Sequence, residues 1–464
     1  MKTSESKKVI EGGYCVGCGL CVALAPNSSY IWMDENGRYV PEFKPDHFTP
    51  FICPFSTELP NEDDLAERYL PDACQNDPLI GRYINSFAGY VRNDKKRSAS
   101  TSGGLTTWIA VKLLLTGFVD KVIHVKPNIA EDGPLFHYDI SSTPKEVYEG
   151  AKTRYYPIEL SKVLRTILSE PGRYLVIGLP CYIKAVRLLC DHSPTARERI
   201  VFTIGLFCGS LKTARFTDLL GWQMGIPPGE VGTIDFRDKK NLPDATHYTS
   251  RITDRQGNQK LAHWNELYGV WWGHGYNKYK ACDYCDDVVS ETADVSVGDA
   301  WLPAYQGDPK GTNIVIVRSN IARDILKEGK QSQEIYLDLL NSAEVCESQA
   351  SNFRHRRDGL AYRLYQKDLK SEWRPVKRVS PDINHLSARE QKIYYYRELL
   401  SARSHPALTT AINKNDLSLY LKLLERYRMR YELLYHNNLK RWIRFVLSWI
   451  WPNLLVKAWL RRRR

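Results

Sequence analysis

The chain has 464 residues, 43% hydrophobic and 25% charged. These values exclude a disordered, collagenous or small disulfide-scaffold protein, and the length accommodates two or three packed units. Lys and Arg number 65 against 53 acidic residues, but residues 381–464 alone hold 17 basic and 6 acidic residues, so most of the net charge of +12 belongs to the C-terminal region. An anionic partner is expected there rather than on the body.

Eleven cysteines occur, at positions 15, 18, 21, 53, 74, 181, 190, 208, 282, 285 and 346. The opening MKTSESKKVIEGGYC has no apolar signal-peptide core, and no run of 18 uncharged apolar residues predicts an ordinary transmembrane helix. A cytoplasmic, reducing setting follows as the expectation, and there cysteines are more often metal ligands or catalytic groups than disulfides.

Residues 1 to about 60 are irregular and rich in Cys, Gly and Pro. Their strongest signal is Cys15-x2-Cys18-x2-Cys21. Two-residue gaps let successive thiolates face one compact cluster, and Gly17 and Gly19 permit the tight backbone this wrapping needs. In bacterial ferredoxins such a run continues to a further Cys that serves a second cluster; here that position is Ala25, before Pro26. The segment therefore reads as holding one 4Fe–4S cluster, with Cys53-Pro54 supplying the fourth ligand. A zinc knuckle is the alternative, since zinc also takes four thiolates; the two strict gaps favour iron–sulfur.

From about 85 to 350 the pattern alternates strands and helices. Ala88–Arg92 reads as a short strand, Gly104–Leu115 as a helix and Val119–Val125 as a strand. Ser98 to Gly104 opens that helix after the basic run Lys95–Arg97. Free amides at a helix start, with hydroxyls and bare glycines, make a phosphate cradle; a Ser-capped helix with close backbone packing is the equal local alternative. No Walker A loop or GxGxxG fingerprint is present.

Two pieces then have the form strand, loop, cysteine: RYLVIGLP before Cys181 and IVFTIGLF before Cys208. With one helix, Tyr182–Leu189, between strands Arg173–Gly178 and Ile200–Phe207, they read as a βαβ unit with adjacent parallel strands. Both cysteines then leave the carboxyl edge of the sheet, where ligand sites concentrate. Cys282-x2-Cys285 is the candidate to complete a second set of four, a zinc hook, a redox pair or coincidence being the alternatives for the motif alone; with it, Cys74, Cys190 and Cys346 are left as buried packing residues. Asp235–Ser250 has no firm assignment; Ala293–Gly298 and Thr312–Val317 read as further strands. Ser387-Ala-Arg-Glu390 has the form of a capping box ahead of a helix to about Leu400, and Asp416 caps a second helix, Leu417–Tyr427.

Five motifs in order, CVGCGLC at 15–21, STSGG at 100–104, IGLPC at 177–181, GLFCG at 205–209 and CDYCDDVVSETADVSVGDAW at 282–301, resemble the beta-subunit family of the deazaflavin (coenzyme F-420) hydrogenases and dehydrogenases. The resemblance spans about residues 10–320. It implies an iron–sulfur flavoprotein with FAD and two 4Fe–4S clusters, in which Ser100, Thr101, Ser102, Gly103 and Gly104 contact FAD, and Cys181, Cys208, Cys282 and Cys285 hold a cluster near it. It also implies a flavin role around Lys152 to Tyr155. Asp299 lies in the VGDAW motif, where a turn residue is favoured over the alternative, a flavin contact. Family members also occur beside bacterial genes for surface-polysaccharide synthesis, and the resemblance fixes no substrate.

The expected fold is mixed α+β and α/β. A small ferredoxin-like iron–sulfur unit spans 1–80, a central strand–helix domain with FAD and the second cluster 81–370, and a helical, basic, aromatic extension 371–464. The expected function is an oxidoreductase that relays electrons from a low-potential donor, such as a ferredoxin or a deazaflavin, through 4Fe–4S clusters to FAD and on to a substrate. An electron-transfer subunit without its own substrate chemistry is the first alternative, and a zinc-stabilised membrane- or nucleic-acid-binding module the second. No catalytic acid stands out; His124 ends a strand, and a lone His is usually structural. Residues 441–464 carry seven basic residues, no acidic ones and four Trp. This composition suits a membrane surface better than docking on the body or nucleic acid, so a peripheral place at the inner face of the cytoplasmic membrane is expected and nucleic acid is not.

Overall fold

The structure, a computed structural model, describes residues 4–25, 29–43, 52–128, 133–240 and 242–435. The basic aromatic segment 441–464 and Pro26 lie outside the described residues.

An eight-stranded mixed sheet forms the centre. Its order from one edge is Ile335–Leu340, Asn85–Val91, Asn313–Val317, Val295–Asp299, Ile200–Leu206, Tyr174–Gly178, Lys121–Pro127 and Phe136–Ser141. The middle strands 121–127, 174–178, 200–206 and 295–299 run parallel, and the outer pairings are antiparallel. Tyr174–Gly178 and Asn313–Val317 are buried at every position. Such uninterrupted apolar strands are stable only where both faces of a sheet are covered. Helices Leu105–Leu115 and Asn320–Gln331 help to cover one face, and helix Pro180–His192 packs beside strands 174–178 and 200–206.

The expected parallel neighbours are present: Tyr174–Gly178 pairs with Ile200–Leu206, Gly178 lying opposite Gly205. Two helices, Pro180–His192 and Pro194–Arg199, connect them instead of one. The segment left unassigned contributes to a separate three-stranded antiparallel sheet, Val231–Asp238, Thr249–Asp254 and Gln259–His263. Polar residues and Gly dominate its connections, so no continuous hydrophobic run marks it in the sequence.

The N-terminal region combines helix Ser4–Glu11, the cysteine-bearing loop and a hairpin of Tyr30–Met33 with Tyr39–Glu42. At the other end, Ser387 caps helix Ala388–Asn413 through a capping box with Glu390, and Asp416 accepts from the amides of Ser418 and Leu419 ahead of Leu417–Tyr435. The first of these helices continues past Leu400 with Pro406 in its interior. Ser404, Ala407, Leu408 and Ala411 are buried along that stretch, and this packing outweighs the one hydrogen bond that proline removes. Both helices brace the segment leading to Cys282. Ser404 Oγ accepts from the Asn277 amide at 2.9 Å, Arg397 Nε donates to the Gly273 carbonyl at 3.0 Å, and His274 Nε2 pairs with Glu432 at 3.1 Å.

Candidate functional site

Parallel strands 174–178, 200–206 and 295–299 end at one edge of the sheet, and the chain leaves them as Leu179–Cys181, Phe207–Cys208 and Ala300–Trp301. The glycines explain how closely these exits pack. A Cβ on Gly298 would lie 2.0 Å from Phe207 Cδ2, and one on Gly205 would lie 2.2 Å from Ser290 Cβ.

The first cysteine set is brought together as expected. Cys15, Cys18, Cys21 and Cys53 line one small cavity with Val9, Ile31, Pro41 and Ile52. Gly17 and Gly19 both have left-handed backbone, φ 66° and 81°, in the turns that wrap it. The amides of Gly17 and Phe55 donate to the sulfurs of Cys15 and Cys53 at 3.3 and 3.4 Å. Burial pushes the Cys21 thiol well up, and the thiols of Cys18, Cys15 and Cys53 add to the effect.

The second set also converges. Cys181 stands in the first turn of helix Pro180–His192, Cys208 follows strand 200–206, and Cys282 and Cys285 lie on and just after a short 3-10 turn. Burial raises the Cys181 thiol, followed by the effects of Cys285, Cys208 and Cys282, and then of Cys18. The Leu211 amide donates to Cys282 Sγ at 3.2 Å. A cluster carrying positive metal charge reverses the penalty on four buried thiolates. Among the described residues, no three His, Cys, Asp or Glu side chains gather tightly enough for a single metal ion. Sets of four thiols with amides aimed at sulfur have the donor chemistry that iron–sulfur clusters use.

Cys208 has a second neighbourhood. It lines a cleft of about 490 Å³ together with Ser100, Thr101, Ser102, Gly104, Lys152 and Tyr155. Gly103 does not line it: a Cβ there would lie 2.6 Å from the Gly89 carbonyl and 2.8 Å from Asn313 Oδ1. Its role is close packing of the loop on strands 85–91 and 313–317. Gly104, at φ 85°, precedes helix Leu105–Leu115, and Thr106 and Thr107 of its first turn also face the cleft. Thr101 Oγ1 accepts from the Thr153 amide at 2.7 Å, which ties the hydroxyl loop to the 152–155 segment. Lys152 has a left-handed φ of 117°, and its Nζ pairs with Asp235 at 3.0 Å.

The cleft wall carries residues that local sequence did not reveal. Arg237, 5% exposed, donates through Nη1 to Asp299 at 2.7 Å and through Nη2 to Tyr248 at 3.0 Å. Asp299 is thus more than a turn residue. Lys239, which does not itself line the cleft, donates through Nζ to the carbonyls of Arg97 and Ser102, at 3.2 and 2.8 Å, bracing the hydroxyl loop; burial pushes its pKa down to about 7. Trp272 and Tyr155 meet edge to face at 4.9 Å. The Nε atoms of Arg154 and Arg237 are buried with no hydrogen-bond partner among the described residues. Guanidinium and ammonium groups, a hydroxyl-rich helix start and aromatic walls in one cleft fit an anionic ligand with a flat ring system, as a flavin dinucleotide is. His124 lines the same cleft, but its Nε2 is engaged with Ser141 Oγ at 2.8 Å.

The family model for the N-terminal part of the coenzyme F420 hydrogenase/dehydrogenase beta subunit matches residues 86–165, and the model for its C terminus matches residues 172–342. Together they cover more than half of the chain. The chain is 22% identical over 346 residues to one of the subunits of the F(420)H(2) dehydrogenase of Methanosarcina mazei, covering 71% of this chain and 86% of that protein. It is 23% identical over 258 residues to the beta subunit of the coenzyme F420 hydrogenase of Methanosarcina barkeri, covering 54% of this chain and 79% of the relative. A chain of the F420-reducing NiFe hydrogenase complex from Methanosarcina barkeri superposes with a TM-score of 0.49 at 17% identity, over 65% of this chain and 98% of that one.

Proposed function

The chain belongs to the coenzyme F420 hydrogenase/dehydrogenase beta-subunit family, and on that premise we propose that it is an FAD- and 4Fe–4S-dependent oxidoreductase. One observation carries the reading. Cys208 belongs to the second cysteine set and also lines the cleft, so a cluster and a ligand bound there share a wall.

In this reading Cys15, Cys18, Cys21 and Cys53 hold one cluster, and Cys181, Cys208, Cys282 and Cys285 the other. Ser100, Thr101, Ser102, Gly104, Lys152 and Tyr155 line the FAD site, with Gly103 shaping its loop. When bound, the clusters supply one-electron transfer and the flavin joins one-electron to two-electron chemistry. The protein's own residues do the positioning. Thr101 fixes the 153 backbone, Lys239 holds the hydroxyl loop, and Arg237 holds Asp299 against the cleft. A low-potential donor, a ferredoxin or a deazaflavin, feeds the chain. His124 is no proton donor in this account, because its ring is engaged with Ser141. The domain plan is a 1–80 iron–sulfur unit, an 81–370 flavin domain and a 371–464 helical extension whose final segment meets a membrane surface.

An electron-transfer subunit that serves a partner's chemistry is the second reading, favoured by the relatives' names as subunits of larger enzymes. Anaerobic purification with iron, acid-labile sulfide, zinc and flavin measured on one sample tests the main proposal. About eight iron and eight sulfide per chain with one FAD is expected. Zinc without flavin overturns it.

A further inference from the structure

One short helix, Ala350–Arg356, links the cleft to the second cysteine set. Ser351 and Asn352 at its start line the cleft, as does Gln349 before it. Arg356 at its end is 3% exposed. Its Nη2 donates to the carbonyls of Cys208 and Gly209, both at 3.1 Å, and its Nη1 to the carbonyl of Cys285 at 3.4 Å. The guanidinium thus ties together two of the three loops that bring the four cysteines to one place.

Its charge has no ordinary partner. The buried Arg187 and Arg237 each pair with a carboxylate, whereas Arg356, like the buried Arg318, Arg363 and Arg397, forms no ion pair with one among the described residues. What sets Arg356 apart is where its donors go: to the carbonyls of Cys208, Gly209 and Cys285, so its charge stands against the second set.

We infer that Arg356 is the fixed counter-charge of the second cysteine-bound cluster and raises its reduction potential. The inference rests on the proposal that Cys181, Cys208, Cys282 and Cys285 hold a cluster. Reduction adds one electron and no atoms, so a nearby fixed positive charge stabilises the reduced form relative to the oxidised one. Solvent ions screen a buried charge little, so the bias persists at physiological salt. The bias falls on the cluster whose ligand Cys208 lines the cleft, which favours electron occupancy there.

The test is an EPR-monitored potentiometric titration, with dithionite as reductant, of the anaerobically purified full chain as wild type, R356Q and R356K. The wave lost in C208S identifies the second set. R356Q is expected to lower that wave's one-electron equilibrium constant about tenfold, equal to about 59 mV, with the other wave unmoved and R356K close to wild type. Unchanged waves in R356Q, an equal shift of both waves, or R356K falling with R356Q overturns the inference. Should R356Q not retain the second cluster, R356K decides. A constant within about twofold of wild type supports the counter-charge, and a tenfold fall with the cluster intact overturns it. Wild-type protein with only about four iron per chain refutes the two-cluster reading itself, a failure visible before any variant is made.

Discussion

Arg237 and Asp299 meet at the wall of the cleft, with Nη1 donating to Oδ2 at 2.7 Å. The contact joins strand 231–238 of the small sheet to the end of strand 295–299 in the large one, and the Tyr248 hydroxyl accepts the second nitrogen. It therefore fixes how the two sheets stand relative to each other where the ligand cleft opens.

Arg237→Met should remove that tie and leave the Asp299 carboxylate without its charged donor. A hydrogen bond to a charged group contributes about 1.5–3 kcal/mol, and the urea midpoint of the variant should fall accordingly, together with flavin per chain. Asp299→Asn, which keeps the shape, should cost less. An unchanged midpoint in Arg237→Met would mean that water replaces the pair without loss.

Gly205 sits where strand 200–206 passes the turn following Cys285, and a methyl group there would lie 2.2 Å from Ser290 Cβ and 2.3 Å from its Oγ. Gly205→Ala is expected to destabilise by about 1–3 kcal/mol through overpacking. Ser290 itself has left-handed backbone at φ 57°, a conformation that glycine adopts without strain. Ser290→Gly should therefore restore part of the loss in the double variant, measured by thermal denaturation. Additive losses in the two variants would refute the proposed clash.

His124 is buried beside Lys126, and desolvation first, then that lysine, push its pKa down to about 4. In the unfolded chain it titrates near 6.5. As pH falls from about 6.5 to 4, the unfolded state takes up a proton that the folded state refuses, so this group's contribution to stability is lost over that window. The loss approaches about 1.4 kcal/mol per pH unit and stops below the folded value. His124→Gln should abolish that component, so the stability gap between wild type and variant should change only below about pH 6.5. A gap independent of pH between 4 and 7 would show that His124 is not held neutral.

Cysteine substitutions should divide the metal content by set. Cys18→Ser should remove about half of the iron, and Cys208→Ser a similar share with flavin loss as well, because only Cys208 also lines the cleft. Cys74 is exposed and belongs to neither set, so Cys74→Ser should leave iron at the wild-type level. Iron lost equally from all three variants would dissolve the division into two sets.

Both thiol sets and most of the buried strands were legible in the chain, because ligand spacing and unbroken apolar runs are local properties. Gly104–Leu115, Arg173–Gly178 and Ile200–Phe207 each lie within two residues of the observed elements. The pairing of Cys181 with Cys208 followed from two strands of like pattern separated by one helical stretch. What no local pattern contained is the company these residues keep. Arg237 comes from a segment with no clear period, and Arg356 from the run Arg354–Arg357, which carries no motif. Gly103 looks like a ligand-facing glycine and instead packs on Gly89. The assignment of a charge to a cleft, a cluster or solvent depends on which strands become neighbours. That choice is made by burial of whole faces across hundreds of residues, so only the tertiary structure decides it.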